Sequence, residues 1–152
     1  MGFGICLYIK GISRAKFSAE IYKLSVILKE QLRFSLKEVY ELLDFFENQP
    51  QFSQKMRNIL SKIKGENSLQ AITDVLNSEL KKEFKVYEIA DFSHFFFYLG
   101  KSDLEGEIKH IEYYEKIFED LSNKSNDDLL NKNKLYLSLF TALSLAVFVV
   151  LI

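Results

Sequence analysis

The last eighteen residues, Leu135 to Ile152, read LYLSLFTALSLAVFVVLI and carry no charge. At the rise of an α-helix such a stretch reaches about 27 Å, close to the hydrocarbon thickness of a bilayer. This predicts a C-terminal transmembrane anchor. The competing reading is a buried core helix, but core helices are usually shorter and keep a polar face. From Thr141 onward no polar face exists beyond Ser144. Ser138, Thr141 and Ser144 recur at helical spacing, so they either line a seam for a neighbouring membrane helix or bond their own preceding carbonyls. Lys132 and Lys134 stand just before the span, which favours a cytoplasmic domain, because nearby Asp127 and Asp128 count little in that rule.

All 20 Lys and Arg and all 21 Asp and Glu precede Leu135. The chain therefore divides into a charged domain, long enough at about 130 residues for one hydrophobic core, and a lipid-compatible end. A net charge of -1 argues against nucleic acid as a partner, which calls for a basic face. One cysteine, Cys6, excludes an internal disulfide framework and a cysteine-cluster metal site. The start, MGFGICLYIK, is apolar for nine residues, about 14 Å of helix, too short to cross a bilayer. Without a basic leader or cleavage site it does not read as a signal peptide. Residues 1–16 are thus a short apolar segment: a truncated membrane segment, an interfacial foot or an ordinary chain end.

One proline, Pro50, and six glycines leave little punctuation, and the apolar residues follow helical spacing. Phe17, Ile21, Leu24, Leu28 and Leu32 form one stripe. Leu36, Val39, Tyr40, Leu43 and Phe46 form a second, after Ser35 and Glu38 in a capping-box arrangement. Phe52, Met56, Ile59, Leu60 and Ile63 make a third, with Gly65 placed for a left-handed C-terminal cap. Ser68 opens a fourth through Leu69, Ile72, Leu76 and Leu80. A fifth helix over 86–99 is aromatic nearly all round, so it is central or covered. Gly100 ends it, and Ser102 with Glu105 repeats the capping box. Along the sixth helix Leu104, Ile108, Ile111 and Phe118 face inward, and Glu105 with Lys109 and Glu112 with Lys116 pair on the outside. The expected fold is all-α: an antiparallel bundle of about six helices over 17–122, a polar neck over 123–134, and the transmembrane helix over 135–152. The neck either continues the sixth helix or breaks it.

Chemistry finds little foothold. Gly100, Lys101 and Ser102 imitate part of a phosphate-binding loop, but Phe95 stands where such a loop needs its first glycine, inside an aromatic helix rather than after a strand. His94 and His110 lie sixteen residues apart with no second ligand at metal-binding spacing, and His94 reads as a packed helix residue. Cys6 lacks a basic neighbour to activate it. The sequence predicts no catalytic residues, no cofactor and no metal, hence a protein that is not an enzyme.

Three segments toward the C-terminus carry a resemblance. Leu99, Gly100, Ser102 and Asp103 form Leu-Gly-x-Ser-Asp; Lys109, His110 and Ile111 form Lys-His-Ile; Lys134, Leu135, Tyr136, Ser138 and Leu139 introduce the span as Lys-Leu-Tyr-x-Ser-Leu. In this order the chain resembles the stage III sporulation protein AB family. The upstream likeness is one of pattern: Ser35 and Leu36 replace a Thr-Pro-Leu turn, the start lacks a full membrane segment, and Phe140, Thr141 and Ala142 replace glycines. That departure leaves residues 135–152 as the expected sole anchor.

The family is similar to the cytoplasmic helical domain of the type II secretion F protein. The resemblance implies a non-catalytic platform subunit in endospore formation, working beside a secretion-type ATPase and channel-forming membrane proteins. It also implies a cell-membrane location, with the bundle facing the mother-cell cytoplasm around the forespore. It directs attention to Ser102, Asp103, Lys109 and His110 as interface candidates, although Ser102 and Asp103 equally suit a helix cap. A homo-oligomer is open, and so is a second class of function: a tail-anchored adaptor or membrane-active protein unrelated to sporulation.

Overall fold

A computed structural model describes residues 2–34 and 38–151. Among them are six helices and no strand: α1 (Gly2–Phe34), α2 (Val39–Glu47), α3 (Gln54–Ile63), α4 (Leu69–Leu80), α5 (Val86–Tyr98) and α6 (Leu104–Leu151). The all-α class holds. Helix α6 runs through the neck without a break, so the last helix of the bundle, the neck and the apolar stretch are one rod of 48 residues, about 72 Å long. It is the one helix among the described residues long and apolar enough to cross a membrane. Residues 2–16 are likewise the first turns of α1, continuous with the Phe17 stripe.

Helices α1 and α6 lie antiparallel along most of the length of α1. At one end Arg33 Nη2 meets Glu112 Oε1 at 2.7 Å; at the other the Tyr136 hydroxyl donates to the Gly4 carbonyl at 3.2 Å. Small residues spaced by seven make the close approach possible, because a seven-residue repeat keeps one seam facing the partner helix. Gly4 lies under the Tyr136 ring and Gly11 under Leu129 Cδ1, where an added Cβ would stand 3.5 and 3.4 Å away. Ser18 Oγ then sits 3.2 Å from Ser125 Oγ, both buried. Ser25, fully buried, continues the series and donates to the Tyr22 carbonyl at 2.6 Å.

The shorter helices cover the upper part of this pair. Every member of the first stripe, Phe17 to Leu32, is buried, as are all five members of the third. The core is dominated by rings: Phe92 lies 5.4 Å from Phe17, 5.2 Å from Phe84 and 5.7 Å from Phe118, and Phe95 meets Phe118 edge-on at 5.1 Å. Each contact adds roughly 0.5–1.5 kcal/mol to the burial of its rings. The aromatic fifth helix is therefore central on one face, while Val86, Tyr87 and Tyr98 remain exposed on the other.

Polar ties fix the register of the wrap. Ser53 caps α3 by accepting from the Met56 amide at 3.3 Å. Its own amide and hydroxyl donate to the nearly buried Glu20 of α1 at 3.0 and 2.7 Å. Ser68 caps α4 as expected, accepting from the Ala71 amide at 3.1 Å.

Several local expectations are corrected. Gly65 is not left-handed: α3 ends on Lys64 in right-handed helical geometry, and Gly100 alone among the described glycines has positive φ. Helix α2 starts after Glu38, whose side chain makes no cap hydrogen bond; Ser35 and Leu36 lie outside the described residues. Tyr40 and Leu104 are exposed rather than inward. Glu112 pairs with Arg33 instead of Lys116, because α1 offers a guanidinium across the seam.

Candidate interaction surface at the helix α5 and α6 junction

Four of the sequence-derived candidates fall where α5 turns into α6. The turn depends on Gly100, whose φ is 79°, a conformation that side chains with Cβ avoid. The Tyr40 ring closes over it, so that an added Cβ would come within 2.9 Å of Tyr40 Cε2. Lys101 folds back with Nζ 3.1 Å from the Phe97 ring centre, a cation–π contact.

Asp103, not Ser102, caps α6. Its Oδ1 accepts from the Gly106 amide at 2.9 Å. The reciprocal arm comes from Glu107, whose Oε1 accepts from the Ser102 amide at 3.0 Å. Glu105, expected in that role, points outward and pairs with Lys109 at 3.4 Å. The cap thus sits one residue later than the sequence pattern suggests. Glu107 is 3 % exposed, and its Oε2 has no partner among the described residues.

The four candidates separate by environment. Ser102 and Asp103 are exposed turn residues, and Lys109 is 73 % exposed. His110 is half-buried: its ring stacks on Phe95 at 5.9 Å and 9°, and Nε2 lies 3.1 Å from the Phe95 carbonyl. Tyr114 closes the same cluster 5.0 Å from His110, and burial, with the charge of Asp91 adding, raises its phenol above the usual range. His110 is therefore a wedge between α5 and α6, and Ser102, Asp103 and Lys109 form an exposed rim at the start of α6. His94, expected to pack, is exposed beside Tyr98.

At the opposite end of α6, Lys134, Tyr136 and Ser138 introduce the apolar stretch. Lys134 and Ser138 are exposed. Tyr136 packs edge-on against Tyr8 at 6.3 Å, and with Gly4, Asn133, Leu137 and Phe140 it lines an open groove of about 710 Å³. Thr141 and Ser144 donate to the carbonyls of Ser138 and Phe140 at 2.8 and 2.9 Å, the local bonding that competes with a role in a seam.

Between the two ends, Arg14 of α1 clamps Glu88 of α5 with two 2.7 Å bonds, while its Nη1 also donates to the Glu83 carbonyl at 3.2 Å. Burial alone would raise the Glu88 carboxyl. The Arg14 bond, the Lys85 amide and the guanidinium charge outweigh it and hold Glu88 below the usual carboxylate range. No sequence pattern announced this pair. Among the described residues, no three His, Cys, Asp or Glu side chains gather as metal ligands would.

The family model described as stage III sporulation protein AB matches residues 1–152. No curated protein and no solved structure shows a match.

Proposed function

Because the chain belongs to the stage III sporulation protein AB family, we propose that it is a non-catalytic membrane platform subunit of a sporulation-specific, secretion-like channel complex. In this reading it works beside a secretion-type ATPase during endospore formation. The observation that carries it is the match over the full chain, and the shape of α6 suits the role. From Leu104 to Lys134 the helix is unbroken, so a span seated at Leu135 holds the Ser102, Asp103 and Lys109 rim about 40–45 Å above the bilayer. A rim fixed at one height meets its partner at high effective concentration, so weak contacts suffice. The membrane is the cell membrane around the forespore, crossed by the end of α6 with the bundle in the mother-cell cytoplasm.

The test has two parts. Deleting the gene should arrest sporulation, with a fluorescent fusion gathering at the forespore membrane. The detergent-solubilised full chain should co-purify a secretion-type ATPase, and Lys109→Glu should weaken that capture. Normal spore formation together with uniform distribution would remove the proposal, as would failure to capture any ATPase or channel component.

A further inference from the structure

One groove on the bundle opens beside the capping Glu88 of α5 and the core ring of Phe92. It lies between α5 and the middle of α6 and holds about 200 Å³, with buried Phe92 at its base and Tyr87 and Ile117 among its walls. Three carboxylates, those of Glu88, Asp91 and Asp120, also line it. Glu88 is answered by Arg14 at 2.7 Å. Asp91 and Asp120 form no ion pair among the described residues, and the one cation on the lining, Lys124, pairs with neither. Burial, with the charge of Glu88 adding against that of His94, raises the Asp91 carboxyl. An incoming cation would relieve that cost.

Position and chemistry narrow the occupant. Lys124, the lining residue nearest the apolar stretch in sequence, lies eleven residues before Leu135, so the groove stands about 16 Å or more from the span and lipid does not reach it. No carboxylate cluster suited to a bare metal ion exists among the described residues. What remains is an apolar base, an exposed tyrosine rim and anionic walls. The rim includes Tyr87, 57 % exposed. Aromatic residues of this kind anchor protein interfaces, and a trough between two helices takes an amphipathic helix. The volume suits one long cationic side chain held by the Asp91 and Asp120 carboxylates, while the Tyr87 ring already carries Lys85 Nζ 5.8 Å from its centre.

We propose that this groove receives a basic amphipathic helix from a partner protein, one arginine or lysine of which enters between Asp91 and Asp120. The site is distinct from the Ser102, Asp103 and Lys109 rim and serves a platform subunit or an adaptor equally.

The probe is a fluorescent peptide of about fourteen residues, four helical turns, with a leucine face and arginines along its edge. It is titrated by anisotropy onto the full chain in nanodiscs of zwitterionic lipid, against the same peptide with glutamate for arginine. The arginine peptide should bind at least about tenfold more tightly than the glutamate peptide. Asp91→Asn with Asp120→Asn should remove that preference, and Lys124→Glu should increase it. Tyr87→Ala, an exposed change, should weaken binding without lowering Tm, which separates loss of contact from loss of fold. Equal binding of the two peptides, or binding indifferent to all three variants, overturns the proposal. So does sedimentation showing a dimer that dissociates in the Asp91→Asn and Asp120→Asn variant, because the occupant would then be a second copy.

Discussion

The guanidinium of Arg14 meets both carboxylate oxygens of Glu88 at 2.7 Å, joining the first half of α1 to the first turn of α5 across 74 positions of sequence. Glu88 is 5 % exposed and Arg14 18 %. Removing one partner leaves the other charge without its answer, at a cost of roughly 3 kcal/mol for a pair this enclosed. Glu88→Gln should lower Tm by several degrees. The pH dependence follows from the depressed Glu88 carboxyl. Its stabilising contribution is complete above the unfolded value near 4.5 and is lost as pH falls through the lower folded value. Thermal melts from pH 7 to pH 3 should show Glu88→Gln losing less stability on acidification than the wild type; parallel curves would refute the assignment.

His110 and Lys109 are adjacent in sequence but should respond oppositely to substitution. His110→Ala removes a ring stacked on Phe95 and a contact to the Phe95 carbonyl, and should cost about 1–3 kcal/mol. Lys109→Glu touches only an exposed pair with Glu105 and should stay within about 0.5 kcal/mol. Chemical denaturation of both variants checks this. Only Lys109→Glu is then a clean probe of partner capture.

Gly100→Ala should destabilise by about 1–2 kcal/mol, because alanine meets both the positive φ and the Tyr40 ring. Tyr40→Ala in the same chain should recover the steric part but not the backbone part. A double-mutant cycle from urea melts reads the difference; strict additivity would show that the ring does not press on the turn.

The seam between α1 and α6 can be tested by cross-linking. Ser18 and Ser125 face each other across the seam with their hydroxyls 3.2 Å apart, so cysteines at both positions would bring their sulfurs together. In a Cys6→Ser background, Ser18→Cys with Ser125→Cys should oxidise readily to a faster-migrating species on non-reducing gels. Ser18→Cys with Lys124→Cys, one position around α6, should not. Equal cross-linking of both pairs would mean that the two helices slide.

Much of this protein was legible in its sequence because the signals are local. The absence of charge after Lys134, the buried stripes on α1 and α3, the Ser68 cap and the aromatic α5 each depend on residues within a few turns, where periodicity directly records which face meets water. Gly100 was legible as the end of α5, but the left-handed conformation was expected at Gly65 and stands at Gly100 instead, because both are glycines and only the tertiary turn tells them apart. What only the tertiary structure decided is register. Gly4 and Tyr136 are 132 positions apart, and nothing in their neighbourhoods says that they touch. Likewise the cap of α6 moved to Asp103 because Glu107, held almost fully buried, can reach the Ser102 amide. The small-residue repeat Gly4, Gly11, Ser18 was present in the sequence but acquires meaning only beside α6. A long-range contact is chosen by the packing of the whole bundle, so the antiparallel pairing, the Arg14 clamp on Glu88 and the groove beside Asp91 emerge only when all six helices are in place.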